Sequence, residues 1–224
     1  MMSLATFPRL AFRQLFGDLW MRRHWLTRTS SNATDYLSDY WNSADHPIRQ
    51  AVIEIVATEL KRGGSLLEYG SHVGINIHML KDREPYRESA MFAVEPNREA
   101  VDFMAANLPE IEILQAEDTK FVASDFPGRP IDVSLINCTF CAMSQKRTER
   151  VLDKLCRISN SIVIGDNLDN IHGPKSEYKV DPVHYRHPFK TMLQNRGFDV
   201  VAVTPSPEPR PHLNGFMVAR KQRQ

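Results

Sequence analysis

The chain has 224 residues, 42% of them hydrophobic and 25% charged, a size and balance that suit one sizeable soluble α/β domain. Lys and Arg number 28 against 27 Asp and Glu, so the bulk charge offers nothing to a polyanionic partner, and no run approaches the roughly 20 apolar residues that span a bilayer. Of the three cysteines, Cys138 and Cys141 lie three apart inside an apolar run and Cys156 stands alone; with no His cluster at zinc spacing they read as buried thiols in a reducing, cytoplasmic compartment.

Residues 1–34 read as an N-terminal amphipathic basic segment and linker, and residues 35–224 as the domain. Phe7, Leu10, Ala11, Leu15, Leu19 and Trp20 recur at roughly helical spacing among Arg9, Arg13, Arg22, Arg23 and Arg28. Arg13 and Asp18 break the continuous apolar centre that a secretory signal needs. Two readings stand for residues 1–28: a helix packed on the domain or on a partner subunit, as in a homodimer, or an interfacial helix in peripheral contact with a membrane.

After a polar linker, Pro47 begins a helix whose apolar stripe is Ile48, Ala51, Val52, Ile55, Val56 and Leu60, ended by Gly63 and Gly64. The pattern then alternates. Strands are expected over 65–69, 90–94, 111–115, 131–136 and 161–164, with helices over about 75–81, 96–108 and up to 157. Such alternation implies a parallel sheet covered on both faces. The tail departs from it: a helix over 188–195 stopped by Gly197, a strand over 198–203, a turn rich in proline (Pro205, Pro207, Pro209, Pro211) and a strand over 215–219. Two strands joined by a turn read as an antiparallel pair closing a mixed sheet.

The informative segment is Leu66-Leu67-Glu68-Tyr69-Gly70-Ser71-His72-Val73-Gly74-Ile75-Asn76. A glycine turn between a first strand and a helix lets backbone approach a nucleotide closely. The dinucleotide fingerprint GxGxxG requires glycines at 70, 72 and 75; only Gly70 is present, which disfavours a nicotinamide or flavin enzyme. The pattern E/D-x-G-x-G-x-G is met at Glu68, Gly70 and Gly74, with His72 at the middle glycine. Here the chain resembles the class I S-adenosylmethionine-dependent methyltransferases over about residues 40–220. The resemblance implies a Rossmann-like methyltransferase fold: a mostly parallel seven-stranded sheet flanked by helices, with a C-terminal antiparallel strand pair. His72 tolerates φ > 0 better than most residues, so it either fills the turn or points into the site as a polar contact.

The resemblance also implies roles. Glu95, in Val94-Glu95-Pro96-Asn97 about 25 residues beyond Gly70, stands where these folds place the acid that accepts from ribose hydroxyls. Glu117 or Asp118, after the third strand, is placed to accept from the adenine amino group. Glu68 resembles the residue near the methionine amino group, with Gly70, Gly74, Asn76 and Pro96 around the cofactor, and Asn137 and Cys138 beside the sulfonium. Tyr40, in Tyr40-Trp41-Asn42 ahead of the helix containing Arg49, either folds over the cofactor or fixes the start of that helix.

Catechol-type relatives hold magnesium with an Asp after the fourth strand and Asp-Asn after the fifth. This chain has Asp166-Asn167, but Asn137 replaces the first carboxylate and Phe140 stands at the catalytic Lys, so no metal is expected. The loop after the fifth strand covers the acceptor in similar enzymes, and His184 and His172 are the candidate general bases there. The expected activity is O- or N-methylation of a small molecule such as a sugar, a lipid-linked acceptor or a secondary metabolite. Nucleic acid is not expected as a substrate, since no Asn-Pro-Pro-Tyr-type tetrapeptide and no basic stripe with aromatics are present. The alternative is a degenerate relative that binds a nucleoside or supports another subunit.

Overall fold

The structure, a computed structural model, describes residues 19, 22–27, 36–122, 126, 130–168, 184–210 and 212–222. A helical stretch over 22–27 precedes helices α1 (Tyr36–Trp41) and α2 (Pro47–Glu59). Then come β1 (Ser65–Tyr69), α3 (Ile75–Lys81), β2 (Ala90–Val94), α4 (Arg98–Asn107), β3 (Glu112–Leu114), β4 (Ile131–Asn137), α5 (Gln145–Ile158) and β5 (Ser159–Asp166). Helix α6 (Phe189–Gln194) and strands β6 (Phe198–Arg210) and β7 (Leu213–Lys221) complete the chain. The sheet order is β3-β2-β1-β4-β5-β7-β6. The first five strands are parallel to one another, and β7 runs antiparallel to both β5 and β6.

Alternation along the strands sorts the core into two layers. Leu66, Ala93, Val133, Leu135, Val163 and Phe216 face α2, α3 and α4, where Val52, Ile53, Val56, Leu80 and Met104 meet them. Leu67, Val94, Ile136, Ile162, Ile164 and Met217 face α5 and α6, where Val151, Leu152, Leu155, Phe189 and Leu193 meet them. Successive strand side chains point to opposite faces, so a strand buried on both faces reads as one apolar run. Glu68, flanked by Leu67 and Tyr69, is turned by that rule toward α2 and α3.

The expected order of elements holds, with one correction in the tail. The proline-rich stretch is not a turn: β6 continues through it to Arg210, with Pro205 opposite Gly215 and a register shift between Pro205 and Arg210. Proline is tolerated there because β6 is the edge strand and its outward side needs no ladder hydrogen bond. β5 likewise extends beyond the expected 161–164, to Ser159 and Asp166.

With β2 on one side of β1 and β4 on the other, the chain reverses its winding direction at β1. The crevice beyond the carboxyl ends of β1 and β4 is the position where open α/β sheets bind ligands.

Candidate functional site

The turn after β1 builds the floor of that crevice. Gly70, His72 and Gly74 all have positive φ (75°, 51° and 75°), and the N–H groups of Gly70 and Ser71 both donate to Val94 O at the end of β2. A Cβ at Gly70 would collide with the Thr139 side chain. His72 thus does take the left-handed conformation of the missing glycine, and its ring lies 4.5 Å from Tyr40 and 5.5 Å from Tyr36, between centroids. Gly74 serves packing: it precedes α3, lines neither cavity described below, and a Cβ there would stand 3.0 Å from Met104 Sδ and Leu108 Cδ1.

Glu95 ties this turn to β2. Its Oε2 accepts the His72 N–H at 2.8 Å and its Oε1 the Asn97 N–H at 2.9 Å. Burial pushes its carboxyl up to about 7 against the pull of those two N–H groups. Asn97 also caps α4 by accepting the Ala100 N–H, so the carboxylate is held by backbone on both sides.

Glu68 is buried deeper, 2% exposed. Its Oε1 accepts from Asn76 Nδ2 at 2.6 Å, while Oε2 has no hydrogen-bond partner among the described residues. Burial pushes the carboxyl up to about 8, opposed by Asn76 and by the Arg49 charge. Arg49 Nη1 stands 3.5 Å from Asn76 Oδ1, Arg49 Nε donates to Ser43 Oγ at 2.7 Å, and the guanidinium lies 5.6 Å from the Tyr40 ring centroid. Desolvation lowers the pKa of Arg49.

Two adjoining cavities of about 170 and 390 Å³ share the walls Tyr40, Gly70, His72, Asn137 and Cys138, and together they reach the size of small-molecule pockets. The smaller lobe is lined further by Arg22, Trp25, Tyr69, Glu95, Pro96, Glu117 and Met143. The larger includes Ser43, His46, Arg49, Glu68, Asn76, Arg210 and His212. Cys138, at the junction, has φ 54° and donates its N–H to Gly165 O. Burial first, then Asp166, pushes its thiol up to about 12, so it stands there as a neutral group.

Three expected residues are placed differently from the rest. Asp118 touches the smaller lobe, but its carboxylate is engaged by Arg147 at 3.0 Å and Arg150 at 2.5 Å, which leaves Glu117 as the acid facing the lobe; Glu117 in turn meets Arg22 Nε at 2.5 Å. His184 lines neither lobe, and its ring packs 5.4 Å from that of His212, which does. Gly74, as above, is a packing glycine. His172 lies outside the described residues. Asp166 is likewise occupied: its oxygens accept the N–H groups of Asn167 (2.7 Å) and Cys141 (3.0 Å), and among the described residues no group of three or more His, Cys, Asp or Glu is arranged to hold a metal ion.

No family model and no curated protein matches the sequence. Solved structures do match the fold. The magnesium protoporphyrin IX methyltransferase ChlM from Synechocystis PCC 6803 with bound SAM aligns at TM-score 0.58 and 12% identity, over 99% of each chain. The same protein with bound SAH gives 0.60 and 11%, over 97% of this chain and 100% of that one. The mitomycin 7-O-methyltransferase MmcR gives 0.63 and 16%, over 96% of this chain and 67% of that one.

This is the class I methyltransferase fold.

Within this methyltransferase fold, several wall residues had no sequence assignment: Arg22, Trp25, Thr139, Arg49, Arg210 and His212. Arg49 carried a signal, because a charged residue occupies the row of α2 that otherwise runs Val52, Ile53, Val56 and Leu60 into the core. Arg22 and Trp25 carried none; their places depend on tertiary contacts, the Arg22–Glu117 pair and the Asn97 Nδ2 donation to Trp25 O at 2.9 Å. No helix among the described residues is long and apolar enough to cross a membrane.

Proposed function

We propose that the protein is an S-adenosylmethionine-dependent methyltransferase that acts on a small-molecule acceptor. One observation carries the reading: a buried carboxylate with an unpartnered oxygen, Glu68 Oε2, faces a two-lobed cavity beside Arg49. Glu95, held by two backbone N–H groups, faces the other lobe. An amino acid joined to a nucleoside has matching groups at matching places. Glu68 would take the ammonium group, Arg49 the carboxylate, Glu95 the ribose hydroxyls and Glu117 the adenine amino group, with Pro96 as an apolar wall. The bound SAM and SAH of the ChlM structures support the same ligand.

When bound, the sulfonium supplies a methyl group whose leaving group already carries positive charge. The protein's task is then alignment and exclusion of water rather than strong activation. Asn137 and Cys138 sit at the junction of the lobes, and Tyr40 and His72 cover it. An acceptor in the larger lobe therefore approaches the junction from the side of His46, Arg210 and His212. His212, which lines this lobe, is the candidate to take the acceptor's proton.

Calorimetric titration with S-adenosylmethionine and S-adenosylhomocysteine, beside Glu95→Ala and an NADH control, tests this reading. We expect micromolar binding of both adenosyl ligands, a loss of at least about tenfold in the variant and no response to NADH. Failure of both adenosyl ligands to bind overturns the reading. Tight binding with no methyl transfer to any of a broad acceptor panel would instead favour a non-catalytic binding subunit.

A further inference from the structure

The larger lobe has a cation that the cofactor assignment does not use. Strand β7 pairs with β5 so that Gly215 lies opposite Asp166, and the β6–β7 hairpin therefore stands beyond the carboxyl ends of the parallel strands. That placement puts Arg210, His212 and Leu213 into the wall of the larger lobe, across from His46 at the N-cap of α2.

Arg210 Nη2 is 2.6 Å from His46 Nε2 and 3.3 Å from Glu208 Oε2. Arg210 can only donate, and the His46 ring, whose Nδ1 lies 3.2 Å from the Ile48 nitrogen, is the polar group beside it. A guanidinium and an imidazole meet at one point of the wall. The carboxylates of this lobe are Glu68, assigned to the cofactor, and Asp39, with Glu208 beside Arg210. Glu208 stands 3.5 Å from His46 Nε2, and its pair with Arg210 is half-exposed on both sides; such pairs contribute little and exchange readily. Asp39 lies on the exposed side of α1. The charges of both Arg210 and Arg49 reach Cys138 at the lobe junction, where each opposes the effect of burial on the thiol. Arg49 is matched to the cofactor's carboxylate, and Arg210 at the outer end has no such match.

We propose that the methyl acceptor carries an anionic group, a carboxylate or a phosphate, which Arg210 holds at the outer end of the larger lobe, beside His46, while the acceptor's nucleophile reaches the junction at Cys138. The proposal rests on the methyltransferase reading, because it assigns Arg49 to the cofactor and the remaining cation to the second substrate. A charged group anchored at the rim, away from the reacting atoms, orients the acceptor without placing a competing anion at the point of transfer.

The test uses the full chain saturated with S-adenosylhomocysteine, which occupies Arg49. Acetate, benzoate, inorganic phosphate and phenyl phosphate are titrated against it, with benzyl alcohol as the uncharged match, and every titration is repeated on Arg210→Gln. We expect at least one anion to bind about tenfold or more tightly than benzyl alcohol, and that preference to vanish in Arg210→Gln. The affinity of the variant for S-adenosylhomocysteine should stay within about twofold of the parent, which also reports that it is folded. Preference among carboxylates or phosphates identifies the head group. Equal binding of the uncharged ligand, no anion binding, or an anion preference that survives Arg210→Gln overturns the proposal while leaving the cofactor reading intact. Failure of S-adenosylhomocysteine to bind the parent protein removes that reading and the proposal with it.

Discussion

Glu68 holds its proton more tightly in the folded protein than it would in an unfolded chain, because burial pushes its carboxyl from the ordinary carboxylate range up to about 8. The stability associated with that proton is fully present below the unfolded pKa and is lost as pH rises through about 8. Glu68→Gln keeps the shape and cannot ionise. Its melting temperature should therefore match or fall slightly below that of the parent near pH 4.5 and exceed it by a growing margin as pH rises toward 9, while affinity for S-adenosylmethionine falls throughout. Parallel melting curves across that range would contradict the assignment. Ligand binding carries the same sign: an ammonium group at Glu68 Oε2 favours the ionised carboxylate, so binding near neutral pH should release a proton, visible as a dependence of calorimetric heat on buffer ionisation enthalpy. His72 offers a backbone test. An Ala at φ 51° keeps the left-handed penalty that Gly escapes, so His72→Gly should be more stable than His72→Ala by about 1 kcal/mol. Equal stabilities in urea denaturation would mean the turn relaxes.

At the scale of elements, Asp118 joins the segment after β3 to α5 through Arg147 and Arg150, and Lys154 Nζ donates to its carbonyl oxygen at 2.7 Å. Asp118→Ala leaves these cations facing a buried site and should destabilise the fold by about 3 kcal/mol, with a smaller change per bound ligand than Glu117→Ala. The helical stretch over 22–27 reaches the smaller lobe through Trp25, Leu26 and Arg22. Its ion pair with Glu117 is partly exposed, so Arg22→Ala should shift stability by less than about 1 kcal/mol and act mainly by speeding cofactor release in stopped-flow displacement. These elements also show where sequence reasoning succeeds and fails. Strands β1, β4 and β5 were legible because burial on both faces leaves an unbroken apolar run. The extension of β6 through Pro205, Pro207 and Pro209 was not, since proline marks a turn unless the strand is known to be an edge. Glu117 and Asp118 are adjacent acids that local sequence cannot tell apart; only α5, packing its arginines beneath one of them, does so.

For the whole molecule, the glycine turn and the acid 25 residues beyond Gly70 pointed to the crevice, because topology forces the ends of β1, β2 and β4 together once the strands alternate with helices. The outer wall was invisible at that stage: His46, Arg210 and His212 come from an N-cap and a hairpin tip more than 160 positions apart, |i−j| being 164 for His46 and Arg210. The central claim is that the two lobes form one cofactor site, with the adenosine in the smaller lobe and the amino acid moiety at Glu68 and Arg49. A crystal structure of the complex with S-adenosylhomocysteine tests it most directly. The account predicts ribose hydroxyls on Glu95, the amino group on Glu68 Oε2 and the carboxylate on Arg49, with the sulfur beside Cys138. Density for the ligand outside these lobes, or in them with Glu68 and Arg49 untouched, would contradict it.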